Sequence, residues 1–256
     1  MSGPISTIFP HAQRRELKQP PIELIVAQVR FPLIVELLET QGVKSFAQAM
    51  KPTYPIVNFK DEPSFILSPH GVSSENPVRV WRFEDAERAW TLVLAPEFVA
   101  LETKRYQTFP DFRNRFVDAV EELRRLHRPE IRTRLGLRYI DRISNSKQQA
   151  LPDNWLSLVN SDIFALRSVG VELPQQGRVE RRFSLQDMSF TFRTFFVQNG
   201  FGGQDDAEFV LDLDCYDPGR SSFDDLSHRL DEFKEVTHNA FWWSLGKLID
   251  EWEPPS

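Results

Sequence analysis

The sequence is poor in the residues that build disulfides, zinc fingers and membrane spans. Its 256 residues include one cysteine and five histidines, so no internal disulfide can form and no cysteine-histidine zinc finger can be assembled. No stretch approaches the run of about 18 apolar residues that a membrane-spanning helix needs. The first twenty residues also lack the apolar segment of an export signal. We therefore expect a cytoplasmic protein without a membrane partner.

Positive charge and catalytic motifs are scarce as well. The formal net charge of -6 argues against a general nucleic-acid coat or a polybasic membrane binder, because the overall field repels phosphate. A local basic patch is still compatible with this charge. The chain contains neither a His-Glu-x-x-His motif nor a serine nucleophile elbow. No hydrolase is indicated.

Aromatic residues, in contrast, are abundant. The chain has 21 phenylalanines and 6 tryptophans, and 41% of its residues are hydrophobic, enough for a substantial core. A high aromatic content is typical of sheets packed on helices. We expect residues 1–20 to be a flexible N-terminal segment and residues 21–253 to form a single α+β domain.

Hydrophobic periodicity predicts where strands and helices lie. Period-two patterns predict strands at 22–31, 59–68, 77–83, 90–94, 98–106, 130–143, 181–186, 190–198 and 208–216. Short helices are predicted at 33–40, 43–50 and 151–159. Two longer amphipathic helices are predicted from residue 108 and from residue 221 onward. Each opens on a capping-box-like pair, Thr108 with Asp111 and Ser221 with Asp224.

The order of these elements is similar in the two halves of the domain, at about 21–145 and 150–253. In each half, hairpin strands lead into a capped helix with phenylalanine near its beginning. This plan predicts a curved antiparallel sheet packed around two long amphipathic helices, arranged as two pseudo-related halves.

Five short motifs occur in a characteristic order along the chain. They are PPIELIVAQVRF, TFPDFRNRF, LGLRYIDRI, LDLDCY and, in the closing helix, LDEFKEVTHNAF. Over roughly residues 20–250 the sequence resembles a sporadically distributed, uncharacterised family of bacterial proteins of similar length. The scattered occurrence of that family implies a role in mobile-element biology or phage defence. The resemblance brings no functional residues with it.

The segment FVLDLDCYDPGR, residues 209–220, is the first candidate for chemistry. In a strand, period two places Asp212 and Asp214 on one polar face. Two such carboxylates can bind a hard divalent cation, as a metal-dependent enzyme acting on phosphoesters requires. The alternative is a solvated sheet face whose acids pair with basic residues on a neighbouring strand. Asp217, which precedes Pro218 and Gly219, is interpreted as part of a turn.

A row of arginines is the second candidate. Even spacing predicts that they share one face of the strand at 132–142: Arg132, Arg134, Arg138 and Arg142. Such a row can bind phosphates or nucleic acid. It can equally pair across strands with Asp212, Asp214 or Glu102.

Two adjacent tryptophans are the third candidate. Trp242 and Trp243 cannot both face a narrow helix stripe. One of them is expected to be half exposed, either packed at the rim of the core or forming a protein interface. Two further features are interpreted as structural: Cys215 as a buried cysteine, and NGFGGQDD at 199–206 as a turn between strands.

The sequence favours a binding module over an enzyme. We expect a non-enzymatic binding or assembly module with a protein partner that the sequence does not identify. One alternative is the phosphoester enzyme with Asp212 and Asp214 as metal ligands, which alone implies a cofactor, a divalent metal. Another is nucleic-acid or nucleotide binding through the arginine face. The sequence leaves the oligomeric state open.

Overall fold

The computed structural model describes residues 8–12, 17–68, 71–148, 151–153, 155–163, 176–197 and 207–252, with the backbone alone for 62–68 and 71–76. The strands are β1 (Ile22–Arg30), β2 (Ile56–Ser68), β3 (Gly71–Glu84), β4 (Trp90–Ala95), β5 (Phe98–Thr103), β6 (Arg134–Ser144), β7 (Gln176–Leu185), β8 (Met188–Val197) and β9 (Glu208–Asp217). The α-helices are α1 (Thr40–Met50), α2 (Phe109–His127), α3 (Trp155–Leu158), α4 (Leu226–Leu245) and α5 (Leu248–Trp252). Two 3-10 helices span Val35–Leu38 and Ser161–Ile163.

The nine strands form one open antiparallel sheet in the order β2-β3-β4-β5-β1-β6-β9-β8-β7. This confirms the α+β class and the antiparallel sheet predicted from the hairpin spacing. Strands β7, β8 and β9 are consecutive neighbours, so the charged and aromatic residues on them are aligned by direct cross-strand register. No helix in the described ranges is long and apolar enough to cross a membrane.

Contacts within the chain divide it into two units. Unit 1 comprises Met1–Leu24, Leu137–Tyr216 and Asp231–Ser256, and unit 2 comprises Ile25–Gly136 and Asp217–Leu230. The division of the domain at about residue 145, which the sequence predicts, stays a prediction.

The core of unit 2 forms where α2 packs on the sheet. Thr108 caps this helix as predicted, because its hydroxyl accepts a hydrogen bond from the Asp111 backbone N–H at 3.4 Å. The ring of Phe112 stacks on Trp90 of β4 with centroids 6.0 Å apart. Of the six residues predicted to form the apolar stripe of α2, Leu126 is only partly buried and the other five are buried: Phe109, Phe112, Phe116, Val120 and Leu123.

In unit 1, β9 separates its two faces as the sequence predicts. Buried and partly exposed residues alternate strictly along the strand. Its buried side carries Phe209, Leu211, Leu213 and Cys215, each at most 1% exposed. The single cysteine is therefore a core residue, as expected.

The prediction that Ser221 caps the last long helix is wrong. Helix α4 begins at Leu226. Ser221 instead exchanges two backbone hydrogen bonds with Arg132, of 3.0 and 2.9 Å. The bridge requires extended backbone at Ser221, so the helix starts several residues later. The predicted turn at 199–206 lies outside the described residues, although the flanking strands β8 and β9 do pair antiparallel.

A carboxylic acid interrupts the apolar face of β6. Asp141 is only 3% exposed. It alternates along β6 with the same period as the buried residues Leu137, Tyr139 and Ile143, so it lies on the same face of the strand. Burial raises the pKa of Asp141 from 3.8 to about 7, because a low-dielectric environment disfavours the charged form.

We predict that Asp141→Asn gains stability relative to the wild-type protein as the pH rises. The unfolded chain releases this proton near pH 4 and the folded chain holds it until about pH 7. The contribution of Asp141 to wild-type stability is therefore fully present below about pH 4 and is lost between about pH 4 and pH 7, by on the order of 1 kcal/mol per pH unit. The asparagine cannot ionise and escapes this loss. Urea unfolding of both proteins at pH 5 and pH 8 measures the difference.

Asp153→Asn, at an exposed position of unit 1, is the control and should leave the pH dependence unchanged. A difference between Asp141→Asn and wild type that is constant with pH would contradict the raised pKa.

Candidate functional site

Charged side chains on the polar face of unit 1 form a continuous row. Asp212 lies at its centre, where its two carboxylate oxygens accept hydrogen bonds of 2.7 and 2.8 Å from Arg138. Arg193, directly opposite Asp212 on β8, donates a further hydrogen bond of 3.3 Å. Arg193 also binds Glu180 of β7 at 3.2 Å. We call these four residues, Glu180, Arg193, Asp212 and Arg138, the charge row.

The charge row contains Asp212, one of the two residues predicted to bind a metal ion. Both oxygens of Asp212 already accept hydrogen bonds from guanidinium groups. The hydrogen bond from Arg138 to Asp212 raises the pKa of that arginine, and the charge of Asp214 adds to the shift. In the described part of the chain, no three residues among His, Cys, Asp and Glu are grouped as a metal ion requires. The metal site stays a prediction, and this geometry does not favour it.

The predicted arginine row is divided between the two units. Arg142 belongs to unit 1 and binds Glu23 at 2.7 Å, and it also pairs with Glu208. The hydrogen bond to Glu23 raises the pKa of Arg142. Arg134 belongs to unit 2 and donates to the Gln28 side chain at 3.4 Å. A phosphate reaching Arg138 or Arg142 would have to compete with a carboxylate that already neutralises the guanidinium, so phosphate binding stays a prediction that this geometry does not favour.

Arg132, the fourth arginine of the row, is buried inside unit 2. It precedes β6 and is 1% exposed. Its guanidinium donates to Asp217 at 2.9 Å and to Asp225 at 2.7 Å. The second oxygen of Asp217 accepts the Leu135 backbone N–H at 2.9 Å. This arrangement holds the start of β6 against the segment that leads into α4, which is a structural role.

An aromatic pocket lies on the opposite face of unit 1. It is an open cavity of about 190 Å³. Strand β7 contributes two lining residues, strand β8 and helix α4 one each, and the N-terminal segment two. The lining consists of Ile8, Phe9, Arg181, Phe183, Phe192 and Trp243.

Phe9 is the ring that joins the walls of this pocket. It is 7% exposed, and its centroid lies 5.1 Å from Trp243 and 6.1 Å from Phe192. The segment 8–12 is held close to α4 because the Ala12 N–H donates to the Asn239 side chain at 3.0 Å. The flexibility predicted for residues 1–20 stays a prediction, but Phe9 packs as a core residue does.

The two adjacent tryptophans have different environments. Trp243 lines the aromatic pocket and contacts Phe192 at 6.0 Å between centroids. Trp242 packs on His238 and Phe241, at 6.0 and 5.7 Å. Both are partly exposed, so the protein interface predicted for them stays a prediction.

Sequence reasoning missed the aromatic pocket and the buried role of Asp217. The signal for the pocket was the apolar pair Ile8-Phe9 inside a polar lead-in. The buried ion pair of Asp217 was not predicted because an aspartate before Pro218 and Gly219 is typical of a turn.

We predict that Asp217→Ala strongly destabilises the protein. The substitution leaves the buried guanidinium of Arg132 with Asp225 as its one carboxylate partner among the described residues and deprives the Leu135 N–H of its acceptor. Removing one partner of a buried ion pair costs roughly 3 to 5 kcal/mol. Urea unfolding followed by circular dichroism measures this loss.

Asp224→Ala is the matched control, because the Asp224 side chain is 80% exposed and its 3.3 Å contact is to the surface residue Arg124. It should cost less than about 1 kcal/mol. Equal, small effects of the two substitutions would contradict the structural role of Asp217.

Comparisons with known proteins give weak likenesses. No protein-family model and no curated protein matches the chain. Among solved structures, the di-domain ARO/CYC StfQ from the steffimycin biosynthetic pathway is 9% identical, with 90% of this chain and 96% of that chain covered and a TM-score of 0.19. The S. pombe Pct1 RNA triphosphatase is 9% identical, with 91% and 88% covered and a TM-score of 0.13. At such TM-scores neither likeness supports an inference about this chain.

Proposed function

We propose that the chain is a non-enzymatic binding module and that the aromatic pocket of unit 1 holds its ligand. The observation that carries this proposal is the open cavity of about 190 Å³ between aromatic side chains. Ligand sites in proteins are concave and mostly apolar, with few polar groups that fix the orientation of the ligand. The aromatic pocket has this character.

The size of the cavity limits the ligand. At about 190 Å³ it is smaller than the sites that enclose drug-sized molecules, which begin at about 300 Å³. An apolar cavity of about 150 Å³ suffices for benzene. The ligand, or the part of it that enters the pocket, therefore has the size of a single ring.

The lining favours binding over catalysis. Four of the described lining residues are aromatic and one is aliphatic, and none of these five is a general base or a nucleophile. The remaining one, Arg181, is a permanent cation with hydrogen-bond donors only. Such a set can hold and orient a molecule without transforming it.

The architecture supports the same proposal. We infer that the sheet curves around α2 and α4 and that the chain consists of two pseudo-related halves. In sheet order β1 is followed outward by β5-β4-β3-β2 and β6 by β9-β8-β7, so each half is a leading strand with a meander beside it. We also propose a role of this binding module in mobile-element biology or phage defence, which is supported by the family resemblance alone. The protein partner is proposed from the partly exposed Trp242 and Trp243.

We predict that the protein binds 4-fluorobenzyl alcohol, a neutral single-ring probe, with a Kd on the order of 1 mM. Fluorine NMR line broadening measures the binding without relying on tryptophan emission. Trp243→Ala removes one wall of the pocket and should weaken binding about tenfold or more, since the ring loses apolar contact area. Phe183→Ala, on the edge strand β7, should also weaken binding. It serves as the test variant if Trp243→Ala does not fold.

Trp242→Ala is the matched control, because Trp242 is equally a half-buried tryptophan of α4 but is not part of the pocket lining. It should leave the Kd unchanged. If the wild-type protein fails to broaden the probe signal at millimolar concentration, or if Trp242→Ala weakens binding as much as Trp243→Ala, the proposed function is wrong.

A further inference from the structure

The arginines Arg181, Arg182 and Arg193 of β7 and β8 differ in whether a carboxylate neutralises their positive charge. Arg182 lies 2.8 Å from Glu180, and Arg193 lies between Glu180 and Asp212. Arg181 instead donates to the backbone carbonyl of Asp162 at 3.3 Å, which is a neutral acceptor. Across the ranges that the structure describes, no carboxylate forms an ion pair with Arg181.

Arg181 lies on the face of the sheet that carries the aromatic pocket. It lies opposite Phe192 in the β7–β8 register and two residues before Phe183, so it belongs to the aromatic face. Glu180 and Arg182 belong to the charged face. Arg181 is partly exposed and lines the cavity, so a ligand that enters the cavity can reach its guanidinium. A permanent cation at this place favours a ligand that carries a negative group.

We propose that the aromatic pocket selects a small aromatic carboxylate, whose ring enters the cavity and whose carboxylate binds Arg181. This inference rests on the proposed function, because it names the ligand class of the same pocket. One hydrogen bond to Asp162 leaves other guanidinium N–H groups for a paired contact with a carboxylate. The apolar walls reduce dielectric screening and strengthen that contact.

A single negative charge suits this site better than a phosphate. One guanidinium supplies one positive charge, whereas a phosphate monoester carries nearly two negative charges and three acceptor oxygens. Neighbouring arginines cannot supply the second charge, because Arg182 and Arg193 are already paired with acids on the other face. The net charge of -6 also opposes a dianion more than a monoanion.

Three probes of the same size test this inference at pH 7. They are 4-fluorobenzoate, 4-fluorobenzyl alcohol and 4-fluorobenzylamine, which are anionic, neutral and cationic. We expect the benzoate to bind about ten- to a hundredfold more tightly than the alcohol, and the amine most weakly. Raising the salt concentration should weaken the benzoate and leave the alcohol unchanged. Fluorine NMR titration gives all three Kd values on the wild-type protein.

Two variants assign the preference to Arg181. Arg181→Gln should abolish the preference, so that the benzoate and the alcohol bind this variant with about equal Kd values. Arg181→Lys keeps the charge and should retain part of the preference, so it serves as a second variant if the glutamine protein does not fold. Arg182→Gln, the adjacent residue on the charged face, should change none of the three affinities.

The outcomes separate this inference from the proposed function. If the benzoate and the alcohol bind equally well to the wild-type protein, or if Arg182→Gln and Arg181→Gln have the same effect, the pocket remains a binding site and the carboxylate preference is wrong. If none of the three probes binds, both proposals are wrong.

Discussion

The division of β7, β8 and β9 into an aromatic face and a charged face is the constraint on which unit 1 depends. It places Phe192, Leu213 and their neighbours on one face and the charge row on the other. A slip of one residue in β9 would exchange the two faces of that strand, burying the carboxylate of Asp212 and exposing Leu213. The pairing of Arg193 with both Asp212 and Glu180 disfavours such a slip, because each ion pair forms in one register only. The charged face thus fixes the register that the aromatic face needs.

Two charged residues, Arg132 and Asp141, are buried where apolar ones would be expected, and they represent two kinds of buried charge. Arg132 is compensated by Asp217 and Asp225 and stabilises a connection within unit 2. Asp141 has a raised pKa, which is the usual response of a carboxyl group that burial deprives of hydration. Arg181 belongs to neither kind, since it is only partly buried and borders a cavity that a ligand can enter. This distinction is what separates a structural charge from a candidate binding group.

Local pattern predicted the two faces of β9 and the capped start of α2, because both depend on the order of neighbouring residues. It named the pairing of the arginine row with Asp212 as one of two open alternatives, and Arg138 does bind Asp212. Local pattern could not decide between the alternatives, since that contact depends on which strands become neighbours in the sheet. The cap predicted at Ser221 failed for a related reason: a bridge to Arg132, 89 positions earlier in the chain, overrides local helix signals. The aromatic pocket is lined by the segment at Phe9 and by β7, β8 and α4. These segments are far apart in the sequence, so the sequence alone does not indicate that they form one pocket.

The central claim is that the aromatic pocket receives a single-ring ligand. Crystals of the protein grown with 4-bromobenzoate test it most directly, because the bromine is located by its anomalous scattering. We expect a bromine peak inside the cavity between Phe9, Phe192 and Trp243, with the carboxylate within hydrogen-bond distance of Arg181. A bromine ordered only elsewhere, or a cavity filled by the protein's own side chains at saturating ligand, would contradict it.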